Sequence, residues 1–141
     1  MAISRVLTLL VPLVVLVGAG CAPAQDEVAP EPTVTHGGHW HADSRQGSFR
    51  VVAESVGFEH VSCRMWIEWL PAAADGESSN ASVARVLLEE LSDGFWTCGN
   101  VQLTGSVLRI DSHHVYSLEP RRFTVALGEP GSYRLQSAAP L

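Results

Sequence analysis

The sequence contains no lysine: all nine basic residues are arginine, set against 15 aspartates and glutamates. Lysine absence excludes nothing by itself, but the balance it leaves does. Net charge is −6, and the one basic cluster is Arg121–Arg122. A surface of that sign repels phosphate backbones, so nucleic acid is not an expected partner. Methionine is nearly missing as well, with Met1 and Met65 alone. A thioether-based Cu(I) carrier is therefore not expected. Three cysteines occur, and none forms C-x-x-C, which argues against a redox pair. Neither H-E-x-x-H nor G-x-S-x-G is present, so the usual signatures of a zinc peptidase and a serine hydrolase are lacking.

What is present begins with an export segment. Arg5 supplies a positive start, and Val6 to Val17 supplies an apolar core interrupted by Pro12. That run is shorter than the roughly 20 residues of a membrane-spanning helix, which favours a cleaved signal. Gly18-Ala19-Gly20 precede Cys21, with Gly18 where an aliphatic residue is usual. The Gly20-Cys21 junction resembles the processing box of bacterial lipoproteins. The resemblance implies that residues 1–20 are removed and that Cys21 carries a diacylglyceryl thioether as the first mature residue. Ordinary secretory cleavage after Ala22-Pro23-Ala24 is the competing reading. Either route leaves Cys63 and Cys98, which an oxidising compartment would pair. The expected address is the cell envelope, anchored by lipid and facing the periplasm or the exterior.

Residues 21–47 read as a flexible tether. They carry Pro23, Pro30, Pro32 and several acids, then His36-Gly-Gly-His-Trp-His41, with almost no aliphatic periodicity. Residues 48–141 read as one mainly β domain. Along Phe58–Leu70, the residues Val61, Cys63, Met65, Ile67 and Trp69 share one face by period two. The opposite face holds His60, Ser62, Arg64, Trp66 and Glu68. Spacing within 82–92 predicts a short helix, with a strand feeding an Asp93-Gly94 turn as the alternative. Asp111-Ser-His-His114 is expected at a hairpin tip, Val115–Leu118 as a returning strand and Glu119–Arg122 as a further turn. Short strands at this spacing, with one disulfide, predict a small immunoglobulin-like β-sandwich. The ending Leu127, Pro130, Gly131, Tyr133 is similar to the closing strands of many extracellular sandwiches.

Histidine is the most suggestive chemical feature. His36, His39 and His41 form H-x-x-H-x-H, and imidazole suits Cu(II) or Zn(II). On an extended chain His39, His41 and Asp43 project to one side, and His113 and His114 complete the set if the tether folds back. His41-x-Asp43 with His113 has the ligand types of a two-His-one-carboxylate iron site, and the H-x-H resembles a cupin. The carboxylate that follows in cupins is replaced by Ser44-Arg45-Gln46, so no catalytic residue is assigned. Trp66 and Trp96 are candidate binding-surface residues, since exposed rings beside polar groups suit recognition. The expected role is a non-catalytic, lipid-anchored binding module for an envelope protein or small ligand. Metal binding or handling through the histidines is the alternative.

Overall fold

The computed structural model describes residues 30–73 and 81–141. Among the described residues the chain forms β1 (Thr33–Ala42), β2 (Arg45–Val56), β3 (Ser62–Pro71), β4 (Ala84–Leu87), α1 (Glu89–Ser92), β5 (Asn100–Thr104), β6 (Val107–His113), β7 (Pro120–Leu127) and β8 (Tyr133–Pro140). The signal segment, Cys21 and the start of the expected tether lie outside the described residues.

Period-two patterning explains the core. On β3, Cys63, Met65, Ile67 and Trp69 are all fully buried, as their shared face requires. Val61, of the same parity, lies before the strand and is exposed. Phe49, Val51 and Ala53 of β2 pair directly with Trp69, Ile67 and Met65. From the second sheet Leu108, Ile110, Phe123 and Val125 complete one apolar cluster. Burying residues of this size contributes roughly 1.5–3 kcal/mol each before conformational entropy is subtracted.

Two antiparallel four-stranded sheets result, ordered β1-β2-β3-β4 and β5-β6-β7-β8. This is the expected small β-sandwich. Each sheet is a simple meander, whereas an immunoglobulin domain exchanges strands between its sheets. Within each sheet every strand turns back onto its sequence neighbour, and the chain crosses between the sheets once, from β4 through α1 to β5.

Residues 33–47 correct the expected tether, since they form β1 and the start of β2. An edge strand needs little aliphatic content: the ladder to β2 satisfies its backbone, and only Trp40 and Ala42 bury. The Trp40 indole N–H crosses the side-chain-free Gly47 to donate to the Leu70 carbonyl at 2.9 Å. A register shift between Gly37 and Trp40 adds a residue to β1. Gly38 sits there at φ 58°, and a Cβ on it would overlap the Gly105 carbonyl in the β5–β6 turn. Glycine thus lets the two sheets touch at this corner.

The helix expected over 82–92 shrinks to one turn at 89–92, and residues 84–87 pair with β3 instead. The free edge of β3 offered a ladder that four residues could join, and Leu88 extends it by donating to the Met65 carbonyl at 2.8 Å. Leu88 and Leu91 then turn inward and are fully buried. Nor is 111–114 a hairpin tip. Asp111 and Ser112 lie inside β6, and the turn falls at 115–117. Their polarity is satisfied within the sheet. Asp111 accepts two hydrogen bonds from Arg122, at 2.6 and 2.7 Å, and the buried Ser112 hydroxyl donates to the Thr97 carbonyl at 2.6 Å. Residues 115–118 are accordingly not a strand, and Pro120–Arg122 open β7 rather than turn the chain.

Candidate functional site

The predicted metal residues are not brought together. His36, His39 and His41 are exposed on β1, and the added residue at Gly38 places His36 on the outer face opposite Arg50. His41 pairs with Gln46 beside the two-residue turn that holds Asp43. His113 pairs with Pro120 at the opposite end of the sandwich. Among the described residues no three His, Cys, Asp or Glu side chains could hold one metal ion. His39 and His41 do share a shallow cleft of about 310 Å³ with Trp40, Gln46, Gly47 and Ala72.

Trp66 lies on the outer face of the first sheet, half-buried beneath the Arg85 guanidinium, 4.3 Å from its ring centroid. Beside it Glu68 is buried between Arg50 and Arg85, with ion pairs to both. Trp96 is not a surface residue. It is 7% exposed and packs edge-on against Phe123, at 5.2 Å between centroids, with Arg121 over its ring. Its segment is held inward by the Cys63 N–H bond to its carbonyl, beside the Cys63–Cys98 disulfide.

Trp96 is instead the base of a different site. Three connections meet at one end of the sandwich: 57–61 between β2 and β3, 93–99 between α1 and β5, and 114–119 between β6 and β7. The Cys63–Cys98 disulfide, with Cα atoms 4.6 Å apart, ties the second to β3. Cys63 N–H donates to the Trp96 carbonyl at 2.7 Å, and Val115 N–H to the Phe95 carbonyl at 2.8 Å. His114 pairs with Trp96 through an isolated bridge and accepts the Ser117 N–H on Nδ1 at 3.2 Å. That bond shapes the turn from which Tyr116 and Leu118 project.

A chain of rings runs outward from the core. Trp96 contacts His114 at 5.1 Å, His114 contacts Tyr116 at 5.9 Å, and Tyr116 contacts Phe95 at 5.5 Å and His60 at 4.8 Å. Edge and tilted geometries of this type suit the ring quadrupoles. Beyond the rings the end is openly apolar. Phe58 is 82% exposed, Leu118 71%, and Phe95 and Tyr116 each more than half. Val61 and Leu141 join them. Six of the eight large apolar side chains exposed among the described residues therefore lie at or next to this end, while Val34 sits mid-sheet opposite Val52 and Val83 lies at the other end. Phe95 and Leu118 also hold positive φ, 57° and 59°, a conformation costly for bulky residues. Its rim is of mixed charge: Glu59, Asp93 and Glu119 are exposed, with Arg64 and Arg121 beside them.

Sequence reasoning missed this cluster because Phe58 and Leu118 each read as part of a strand. The available signal was Gly57 before Phe58, which ends β2 at φ 103° and puts the next residues in a loop. No helix among the described residues is long and apolar enough to cross a membrane. Set against protein-family models, curated proteins and solved structures, the chain has no significant match, so its site has to be read from its own chemistry.

Proposed function

We propose that the chain is an exported lipoprotein, anchored through Cys21 at the cell envelope, whose β-sandwich is a non-catalytic binding module working through its apolar end. The observation that carries the reading is the gathering of exposed Phe58, Phe95, Tyr116 and Leu118 on one disulfide-tied end. Scattered apolar residues are normal on a protein surface, whereas a contiguous group marks an interaction site. The disulfide fits an oxidising compartment, and the Gly20-Cys21 junction supplies the anchor.

Intact mass measurement of the protein made in a bacterial host tests the anchor. The expected product begins at Cys21 and carries a diacylglyceryl group, and Cys21→Ala abolishes the lipid. A mature chain starting at Gln25 without lipid overturns it. Metal handling keeps one supporting observation, the shared cleft of His39 and His41. Two imidazoles alone leave a metal site short of ligands. Calorimetric titration with Cu(II) and Zn(II) should therefore give binding weaker than about micromolar. Tighter, stoichiometric binding lost on changing His36, His39 and His41 to Ala would restore metal as the leading function.

A further inference from the structure

We infer that the apolar end docks onto the surface of the bilayer that holds the lipid anchor, seating Phe58, Phe95, Tyr116 and Leu118 at the boundary between headgroups and acyl chains. The inference rests on the lipoprotein reading of Cys21. Its first support is direction. β1 begins at Thr33, which pairs with Ala53, three residues before the end of β2, so the chain enters the domain nearer the apolar end than the other. Twelve residue steps separate Cys21 from Thr33. Fully stretched, they reach about 40 Å. A ten-residue strand such as β3 is about 33 Å long. Turning the other end to the membrane would use nearly all of that reach along the side of the domain. The apolar end begins four residues beyond Ala53, at Gly57, and needs about 13 Å of it.

The second support is chemistry. Tyr and His rings with polar tips, ringed by Phe and Leu, match a surface that is wet on one side and oily on the other. Phe58, Val61, Phe95, Tyr116 and Leu118 come from three separate loops, so they form a broad face rather than a groove for one peptide. Glu59, Asp93 and Glu119 at the rim stand beside Arg64 and Arg121, a mixed charge that fits zwitterionic headgroups. Among the described residues the opposite end exposes one large apolar side chain, Val83, beside the turns Asp43-Ser44, Gly105-Ser106 and Gly128–Ser132.

The test uses the chain from Cys21 to Leu141, which contains every described residue. With Cys63 and Cys98 bridged, Cys21 is the one free thiol. Coupling it to a maleimide lipid anchors the protein on phosphatidylcholine bicelles whether or not a cell lipidates that residue. Failure of docking and failure of natural lipidation are thus read separately. Lipids spin-labelled near the headgroup then report proximity by broadening amide signals. Phe58, Tyr116 and Leu118 should broaden strongly, and Gly105 and Gly131 should not. In Phe58→Ser/Leu118→Gly the broadening at Tyr116 should fall to the Gly105 level, while the protein stays on the bicelle. Uniform weak broadening, broadening centred on the far turns, or a pattern unmoved by the double change overturns the proposal. So does photo-cross-linking from position 118 in cells that yields a protein adduct and no lipid adduct.

Discussion

The two ends of this sandwich are fastened by opposite means. At the apolar end, long connections are tied by the Cys63–Cys98 disulfide, backbone bonds to Trp96 and Phe95, and stacked rings. At the other, glycine contacts fasten the corner between the two-residue turns 43–44 and 105–106, Gly38 against Gly105 and Gly47 beneath Trp40, beside the longer connections 72–83 and 128–132. Loops long enough to carry a binding face have few ladder bonds of their own, so a covalent tie and a ring stack replace them. The two-residue turns at 43–44 and 105–106 need no such help, and they carry no large exposed side chain.

Removing the disulfide should have the largest effect. The bridge spans 35 residues, and its loss in Cys63→Ala/Cys98→Ala is expected to cost about 4 kcal/mol in urea unfolding. Hydrogen exchange should quicken in 57–61 and 93–99 ahead of the turn end. Equal loosening at both ends would break the contrast. At the other end, Gly38→Ala forces a Cβ into the Gly105 carbonyl at a positive φ. We expect a loss of about 1–3 kcal/mol, the range for overpacking, with the disulfide end unaffected. A neutral result would mean that the sheets are not held at that corner.

Leu118→Gly sharpens the comparison, because it deletes an exposed side chain where glycine is conformationally at ease. Stability should hold or rise, by no more than about 1 kcal/mol. A clear loss would show Leu118 to be a packing residue and not part of an open face. The smallest effect concerns Asp111, just inside the apolar end. The hydrogen bonds from Arg122 hold its carboxyl below the usual range. A carboxyl lowered by folding stabilises above its unfolded pKa of about 3.9 and loses that contribution as pH falls through the folded value. Asp111 is partly open to water, so solvent screens most of the gain. Acid titration of Asp111→Asn should show a slightly shallower fall in stability below pH 4 (approximately the range set by the free carboxyl).

How much could be read beforehand differed between the regions in the same way. The core face of β3 follows from alternation alone, because a strand between two neighbours has one dry side. β1 could not be read so. Its residues His36-Gly-Gly-His-Trp-His41 look solvated, and five of the six contribute no fully buried side chain. What makes them a strand is the waiting edge of β2 and the slot over Gly47 that receives Trp40. Ser82–Leu91 had both helical and strand readings, and the free edge of β3 decided between them. At the candidate site Trp96 was noticed for its ring, but its burial depends on the Cys63 N–H bond to its carbonyl, beside a disulfide that sequence could pair without placing.

The sequence by itself determined the mainly β class, the pairing of Cys63 with Cys98 and the core of β3, since alternation and cysteine parity are local or combinatorial properties. Tertiary structure alone decided which aromatic rings face outward. Phe58, His60, Phe95 and Tyr116 lie on three loops far apart in the chain, and they become one surface only when the strands between them register. Exposure is a relation between segments, and no segment carries it alone.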